Sequence, residues 1–143
     1  RDLHSFPTRR SSDLCEGMLI DENVNISNLF ATLQTFLKTL FKTDSLDIRI
    51  RPGFFPFVEP GFEIDMRCPF CKNGCSVCKR STWIELFPGG MIHPNVLRIN
   101  GIDPEKYSGF AFGFGLTRLA MLKYNIDDIR LFYGGNIKFL NQF

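Results

Sequence analysis

The sequence is poor in the features that mark several special classes of protein. No uninterrupted apolar stretch approaches the ~18 residues of a membrane helix, and no apolar signal core follows the N-terminus. The formal net charge is only +2 and the pI about 8.3, without the basic runs of a dedicated nucleic-acid-binding domain, whose pI is typically above ~9. We therefore expect a cytoplasmic protein without a membrane span, in which any RNA contact depends on particular sites.

The residues that are present indicate one globular α+β unit. Of the 143 residues, 44% are hydrophobic, which is enough to bury a core. Apolar residues at helical spacing predict one amphipathic helix over residues 25–42, with Ser27 as its N-cap. Short apolar or alternating segments lie at residues 16–21, 46–51, 62–67, 81–87 and 109–115. Because strand candidates neighbour each other and helices are few, an antiparallel sheet is favoured over a doubly wound parallel one.

Residues 1–14, RDLHSFPTRRSSDL, differ in character from the rest of the chain. Their arginines and serines resemble those of an organelle-targeting peptide. They also match the conceptual translation of a common short-read sequencing adapter. We favour the second interpretation, and we expect one domain over residues 15–143, which continues a longer natural sequence.

The segment PGFFPFVEPG, residues 52–61, contains three prolines. Each proline lacks an amide donor and fixes its own backbone angle, so we predict a stiffened loop that interrupts strand pairing. Phe55 and Phe57 lie on this loop. Glu59, on the same loop, is either solvated, as most exposed glutamates are, or a hard oxygen ligand suited to Mg²⁺.

Four cysteines lie between two strand candidates at C-x2-C-x3-C-x2-C spacing and predict a hairpin with a zinc knuckle at its tip, residues 68–78. The candidate ligands are Cys68, Cys71, Cys75 and Cys78. Each C-x2-C turn can direct two thiolates at one ion, and four thiolates complete a closed, structural zinc site. Reduced or redox-active thiols and an iron–sulfur cluster use the same residues and stay open as alternatives.

The stretch GFAFGFGLTRLA, residues 109–120, lacks the third glycine of a dinucleotide-binding fingerprint, and Arg118 stands in its place. Small residues alternate with phenylalanines, so one face of the predicted strand is nearly bare, and a ligand could lie close to its backbone. The planar guanidinium of Arg118, at the start of the next helix, can pair with phosphate or stack on a base. His93, before Pro94, is expected to cap or pack rather than to catalyse.

Three longer motifs together resemble one family. They are RPGFFPFVEPG, GGMIHPNVLRINGID and YSGFAFGFGLTRLAMLKYNIDDIR. In this order they closely resemble the catalytic domain of the α subunits of bacterial phenylalanine–tRNA synthetases, over Cys15 to Phe143. GFGLTR is similar to motif 3 of the class II aminoacyl-tRNA synthetases. The resemblance implies part of the class II antiparallel sheet, flanked by helices, with a cysteine-rich hairpin added to it.

The resemblance also implies roles for individual residues. Arg118 would bind ATP, and Glu59 would be a ligand of Mg²⁺. The residues that would contact the phenylalanine substrate are Phe55, Phe57 and Val58 around the ring, Ala111 and Gly113 at the pocket floor, and Glu16 at the amino group.

The implied activity is ATP-dependent formation of phenylalanyl-adenylate and transfer of the amino acid to tRNA(Phe), with Mg²⁺ as cofactor. The implied partner is a β subunit, in a tetramer of two α and two β subunits. Motif 1 and nearly all of motif 2 are missing, so we expect a fragment that is inactive alone. Thr117 and Pro88 stand where relatives commonly have an acidic residue and a glycine, the latter in an expected turn. The alternative is a zinc-containing or RNA-binding module that keeps the synthetase fold without catalysis.

Overall fold

The computed structural model describes residues 13–143, and the interpretations of residues 1–12 lie outside this range. The strands are β1 (Leu14–Asp21), β2 (Ile48–Phe55), β3 (Val58–Arg67), β4 (Trp83–Ile92) and β5 (Ser108–Gly115). The helices are α1 (Ile26–Phe41), α2 (Pro94–Ile99), α3 (Leu116–Tyr124), α4 (Arg130–Tyr133) and α5 (Ile137–Leu140). None of these helices is both long and apolar enough to cross a membrane.

The five strands form one sheet in the order β1-β5-β4-β3-β2. Every neighbouring pair is antiparallel, which confirms the predicted antiparallel α+β architecture. Strand β5 lies between β1 and β4, with Glu16 opposite Gly113 and Gly90 opposite Ala111. The glycine at position 90 is required there, because a Cβ would lie 2.3 Å from the carbonyl oxygen of Pro60 on β3.

Helix α1 covers one face of this sheet. Its buried stripe consists of Leu29, Leu33 and Leu37, as the helical spacing predicted. The ring of Phe36 adds edge contact with Phe87 on β4, at a centroid distance of 5.9 Å. The apolar core therefore lies between α1 and one face of the sheet. The opposite face is not covered by α1.

The start of α1 differs from the prediction. The N-cap is Asn25, not Ser27, because the Asn25 side chain accepts a hydrogen bond from the Ser27 backbone N–H at 2.9 Å. The Asn28 side chain in turn accepts from the Asn25 backbone N–H at 2.8 Å. These two hydrogen bonds form a capping box, in which two asparagine side chains accept from two backbone N–H groups. Its sequence differs from the usual capping box, which has serine or threonine followed three residues later by glutamate or glutamine.

The proline segment also differs from the prediction. Most of it is strand rather than loop, since β2 and β3 form a hairpin that turns between Phe55 and Val58, with an irregular register between Gly53 and Phe55. Pro52 lies inside β2, which is an edge strand, and an edge strand tolerates proline because only one of its sides is hydrogen-bonded. Pro60 lies where the pairing of β3 with β4 is irregular. Pro88 is likewise inside β4, opposite Glu63, where a turn was expected.

An ionic cluster around the buried carboxylate of Asp65 ties β2 to β3 on the face opposite α1. The carboxylate of Asp65 is 2% exposed and accepts hydrogen bonds from Nε of Arg49 and Nε of Arg51, both at 2.7 Å. Burial alone would raise the pKa of Asp65, but the hydrogen bonds from the two arginines outweigh it and hold this pKa below its usual range. Asp65 therefore stays ionised and orients both guanidinium groups at the sheet edge.

Candidate functional site

A cleft of about 630 Å³ opens on the face of the sheet opposite α1. Phe110 and Phe114 on β5 point into the core, with 2% and 6% exposure, so the small residues between them face the cleft. The predicted site residues that line the cleft are Glu16, Phe55, Phe57, Ala111, Gly113 and Arg118. Residues from four strands and from α3, far apart in sequence, thus converge on one cavity.

The floor of the cleft is formed by β5 and β1. A Cβ at Gly113 would lie 3.6 Å from Cγ of Glu16, an ordinary contact, so this position is open to a ligand. A Cβ at Gly109 would lie 2.5 Å from the carbonyl oxygen of Leu19. The bare face predicted for β5 is therefore accessible at Gly113, whereas at Gly109 the backbone of β1 occupies the space.

Phe55 and Phe57 form an aromatic wall of the cleft. Their ring centroids are 6.1 Å apart with an interplanar angle of 30°. Phe55 is the last residue of β2, and Phe57 lies in the turn before β3. Phe57 is 57% exposed, so its ring can be covered by a guest molecule. The next residue, Val58, is 5% exposed and is not among the residues that line the cleft, so its predicted contact with the ring stays a prediction. The two rings thus supply an apolar surface suited to a flat apolar guest.

Glu59 lies outside the residues that line the cleft. Its side chain is 74% exposed, and its Oε2 is 3.2 Å from Nε2 of His93. Nδ1 of His93 accepts a hydrogen bond from the Asn95 backbone N–H at 3.1 Å and so caps α2, as predicted. The carboxylate of Glu59 is positioned by the histidine and accessible to solvent, and its role as a metal ligand stays a prediction.

Arg118 lies in the first turn of α3, where the preceding strand β5 ends. Its Nη1 donates a hydrogen bond to the carbonyl oxygen of Glu85 on β4 at 2.9 Å. The backbone N–H groups at the start of a helix favour anions, and the guanidinium adds a full positive charge. Arg118 also borders a second cavity, of about 510 Å³, between α3 and the cysteine tip. An anionic ligand in the cleft would meet this charge directly.

Several cleft residues were not singled out from the sequence. Glu85 alternates with the buried residues Ile84 and Leu86, and this alternation in WIELF is a signal that could have placed its side chain on the cleft face. Tyr133 lines the cleft from α4, and its hydroxyl lies 3.4 Å from Oγ1 of Thr117. No local sequence pattern predicts that Tyr133 lines the cleft, because its position depends on how the C-terminal helices pack.

The hairpin between β3 and β4 brings the four cysteines together, as predicted. All four Sγ atoms lie within 4.8 Å of one another, and no disulfide joins them. The Sγ–Sγ distances are 3.8 Å for Cys68 and Cys75, 3.6 Å for Cys71 and Cys78, and 3.7 Å for Cys75 and Cys78. Tetrahedral ligands at a Zn–S distance of about 2.3 Å would be about 3.8 Å apart. The cluster could therefore hold a single metal ion.

The surroundings of the thiols also suit a metal centre. Cys68 and Cys78 are each 4% exposed and belong to the core cluster. A hydrogen bond from the Cys75 backbone N–H, at 3.2 Å, lowers the pKa of Cys78 to about 6. Burial raises the pKa of Cys68 to about 12, so this thiol would need a cation to stay ionised. A bound cation would supply that stabilisation, because it deprotonates a coordinating thiol.

Comparisons with known proteins agree with this geometry. The family described as "tRNA synthetases class II core domain (F)" matches residues 12–143. Curated proteins named phenylalanine–tRNA ligase alpha subunit are 53% identical in Leptospira biflexa, 53% in Ectopseudomonas mendocina and 51% in Pseudomonas fluorescens SBW25, each over 129 residues. Each match covers 90% of this chain and 38% of the relative.

The chain thus spans 38% of the length of the curated relatives it matches. Its antiparallel sheet and the strand-to-helix step that carries Arg118 have the arrangement that the resemblance of GFGLTR to motif 3 implied. The family match extends over all of the described residues. This chain belongs to the family of class II tRNA synthetase core domains.

Proposed function

We propose that this chain is part of a phenylalanine–tRNA ligase α subunit, and that the full-length subunit activates phenylalanine with ATP and charges tRNA(Phe). The observation that carries the proposal is the cleft, which brings an aromatic wall, the Glu16 carboxylate and the Arg118 guanidinium onto one open floor. The 53% identity to curated α subunits supports the same assignment. The proposed site of action is the cytoplasm.

The cleft provides a separate surface for each part of the amino acid. The phenyl ring lies against Phe55 and Phe57, where each edge or offset ring contact contributes about 0.5–1.5 kcal/mol beyond area burial. Ala111 lies on the floor and limits the depth of the pocket. The carboxylate of Glu16, opposite Gly113, attracts the ammonium group. The substrate carboxylate is then directed toward Arg118.

Arg118 and the start of α3 form the nucleotide end of the cleft. The guanidinium pairs with phosphate oxygens or stacks on the adenine ring. Mg²⁺ fits Glu59 chemically, since the ion takes one or two protein carboxylates and otherwise binds water and phosphate oxygens. When bound, Mg²⁺ neutralises the phosphate charge. The accessible carboxylate of Glu59, which is near His93, is available for that purpose.

The proposed reaction needs little acid–base chemistry from the protein. A carboxylate oxygen of phenylalanine forms a bond to the α-phosphorus of ATP, and the bond to the pyrophosphate leaving group breaks. A terminal hydroxyl of tRNA then attacks the carbonyl carbon and releases AMP. The residues of the cleft contribute by positioning the two substrates and by stabilising negative charge at Arg118. In the proposed assembly, two such subunits join two β subunits, and a zinc ion bound by the cysteine cluster stabilises the hairpin.

The experiment that tests the proposal measures phenylalanine-dependent exchange of pyrophosphate into ATP. We expect exchange with the full-length subunit assembled with its β subunit, and none with the 143-residue chain alone, which lacks the other half of the class II site. Tyrosine and leucine in place of phenylalanine serve as controls. Exchange that does not depend on phenylalanine in the assembled protein would contradict the proposal.

Replacing Ala111 with glycine should enlarge the floor of the phenylalanine pocket. The lost methyl group makes room for a halogen at the far end of the ring, while Phe55 and Phe57 keep their positions. A difference of this size in a pocket changes specificity by roughly 10- to 200-fold. We expect Ala111→Gly, in the assembled full-length protein, to raise kcat/KM for para-chlorophenylalanine relative to phenylalanine by at least about tenfold.

Ala120→Gly, in α3 and outside the cleft, is the matched control for the loss of a methyl group. It should reduce stability by up to about 1 kcal/mol without changing the ratio of the two substrates. An unchanged ratio in Ala111→Gly, with phenylalanine activation intact, would show that Ala111 does not limit the pocket.

A further inference from the structure

The tip of the β3–β4 hairpin carries a group of cations that the synthetase site does not use. Residues 66–84 contain Arg67, Lys72, Lys79 and Arg80 but no aspartate or glutamate. All four side chains are exposed. None of them forms an ion pair with the residues described in the structure. We call these four residues the tip cations.

At two of the tip cations, the backbone conformation does not favour a long basic side chain. Lys79 and Arg80 both have left-handed backbone angles, with φ of 51° and 62°. Glycine or asparagine would adopt this conformation more easily than a long side chain does. The tip is also closely packed, because a Cβ at Gly74 would lie 2.8 Å from the carbonyl oxygen of Arg80. Basic side chains therefore occupy positions where the fold itself favours other residues.

The four tip cations carry more positive charge than is needed to neutralise a metal site of four thiolates. A zinc ion with four thiolates has a net charge of about −2, whereas the tip cations carry four positive charges. The thiols are also shielded, since Cys68 and Cys78 are buried and Cys71 and Cys75 are half-buried. The surface that the tip presents to a partner is therefore cationic.

On the sheet next to the tip, two guanidinium groups lie near the ring of Trp83. The guanidinium of Arg67 lies 5.5 Å from the ring centroid of Trp83, and that of Arg49 lies 4.5 Å from it. Asp65 holds Nε of Arg49, which fixes the orientation of this guanidinium. None of the large apolar side chains that are exposed in residues 13–143 lies within residues 66–84. The tip thus offers positive charge without an exposed large apolar side chain, which argues against a lipid surface or an apolar protein partner. Arg49, whose charge is paired with Asp65, adds an ordered guanidinium plane beside it.

We propose that the tip cations, together with Arg49, form a surface that binds the phosphate backbone of RNA. Phosphate oxygens pair with lysine and arginine, and a guanidinium plane already stacked on an aromatic ring suits RNA contact. This inference rests on the proposed function, since the RNA in question is the tRNA that the subunit charges. The surface would hold the tRNA by its backbone and would take no part in amino acid activation.

The test uses the full-length subunit assembled with its β subunit and a transcript of tRNA(Phe). Lys79→Asn combined with Arg80→Asn removes two charges and keeps residues that tolerate the left-handed conformation. We expect the Kd for the transcript to rise roughly tenfold and the slope of log K against log salt to fall by about one to two. Lys42→Asn is the matched control, because Lys42 is also exposed and left-handed, with φ of 52°, at the end of α1. It should change neither quantity.

Two further measurements separate RNA binding from other roles. Metal content and phenylalanine-dependent pyrophosphate exchange, measured without tRNA, should be the same in the double variant and in the unmodified protein. Lys72→Gln, which does not alter a left-handed residue, should also weaken binding and lower the salt slope. If Kd and the salt slope are unchanged in both variants, the inference is overturned. It is also overturned if the double variant loses its metal while Lys72→Gln binds RNA normally. Absence of exchange in the unmodified protein would count against the proposed function, while the binding measurement would still decide on the surface.

Discussion

Replacing Arg118 with alanine in the assembled full-length protein should lower kcat/KM for phenylalanine-dependent pyrophosphate exchange by roughly 100- to 1000-fold. The guanidinium is the positive group that the cleft offers at the start of α3. Under the proposed function, its charge would stabilise the phosphates of ATP as the new bond to phosphorus forms. Its hydrogen bond to the Glu85 carbonyl holds it in place before the substrate arrives. Loss of such a preorganised charge affects the transition state more than the bound substrates.

Two variants show whether the effect belongs to the guanidinium itself. Arg118→Lys keeps the charge but loses the planar, two-pronged donor, so it should recover only part of the lost activity. Arg98→Ala removes an exposed arginine of α2 that contacts Asn95 and does not line the cleft, so it should leave exchange unchanged. Nearly full exchange in Arg118→Ala, in a folded protein, would remove Arg118 from the nucleotide site.

Local patterns in the sequence were sufficient for the parts of the fold that depend on neighbouring residues. The alternation in residues 109–115 and the helical spacing after it predicted β5 and α3, because side-chain period follows directly from backbone geometry. The two strand candidates that flank the cysteines predicted a hairpin with the cysteines at its tip, and the structure brings the four Sγ atoms together there. These elements were confirmed almost to the residue.

The predictions from sequence that were wrong concern elements whose conformation depends on tertiary context. Three prolines in ten residues indicated a loop, but the position of β2 at the sheet edge allows Pro52 to remain in a strand. A sequence does not state which strand is at the edge. The sequence also did not predict that Asp65 pairs with Arg49 and Arg51, because it did not predict the β2–β3 hairpin that brings these residues together.

The cleft itself was predictable only in part. Phe55, Phe57, Ala111 and Arg118 were identified through the resemblance, and the structure brings them to one cavity. Their roles toward phenylalanine and ATP stay predictions, because a cavity lined by the expected residues does not reveal its ligand. Tyr133 could not be found in advance, since its place in the cleft results from the packing of α4 against the start of α3.

Strand β4 connects the cysteine tip to the cleft. It begins at Trp83, directly after the cysteine tip, and two residues later Glu85 provides the carbonyl that binds Arg118. The cavity between the tip and α3 is lined by Phe70 and Val77 from the tip and by Arg118 from the helix. A tip that loses its shape would therefore disturb both the start of β4 and the surroundings of Arg118.

Replacing Cys71 with serine should release the metal from the full-length protein and loosen this tip. Cys71 is half-buried and its Sγ lies 3.6 Å from that of Cys78, so serine fits the space but does not provide a thiolate. We expect metal content to fall from about one ion per chain, the stoichiometry of a closed four-thiolate site, to nearly none. Because binding stabilises a folded site, the variant should also show a lower Tm and faster proteolysis between Cys68 and Trp83.

Cys15→Ser is the control, since Cys15 is an exposed cysteine on β1 outside the cluster, and it should keep both its metal and its stability. The identity of the metal decides between the alternatives for the cluster. Zinc without visible absorbance supports the tetrahedral site that the Sγ distances fit, and iron with inorganic sulfide would indicate a cluster instead. Protein prepared under reducing conditions that contains no metal, with four reactive thiols at the tip, would show that the cysteines are not a metal site. In that case the hairpin must owe its shape to the packing of Cys68 and Cys78 in the core, and Cys71→Ser should leave its stability unchanged.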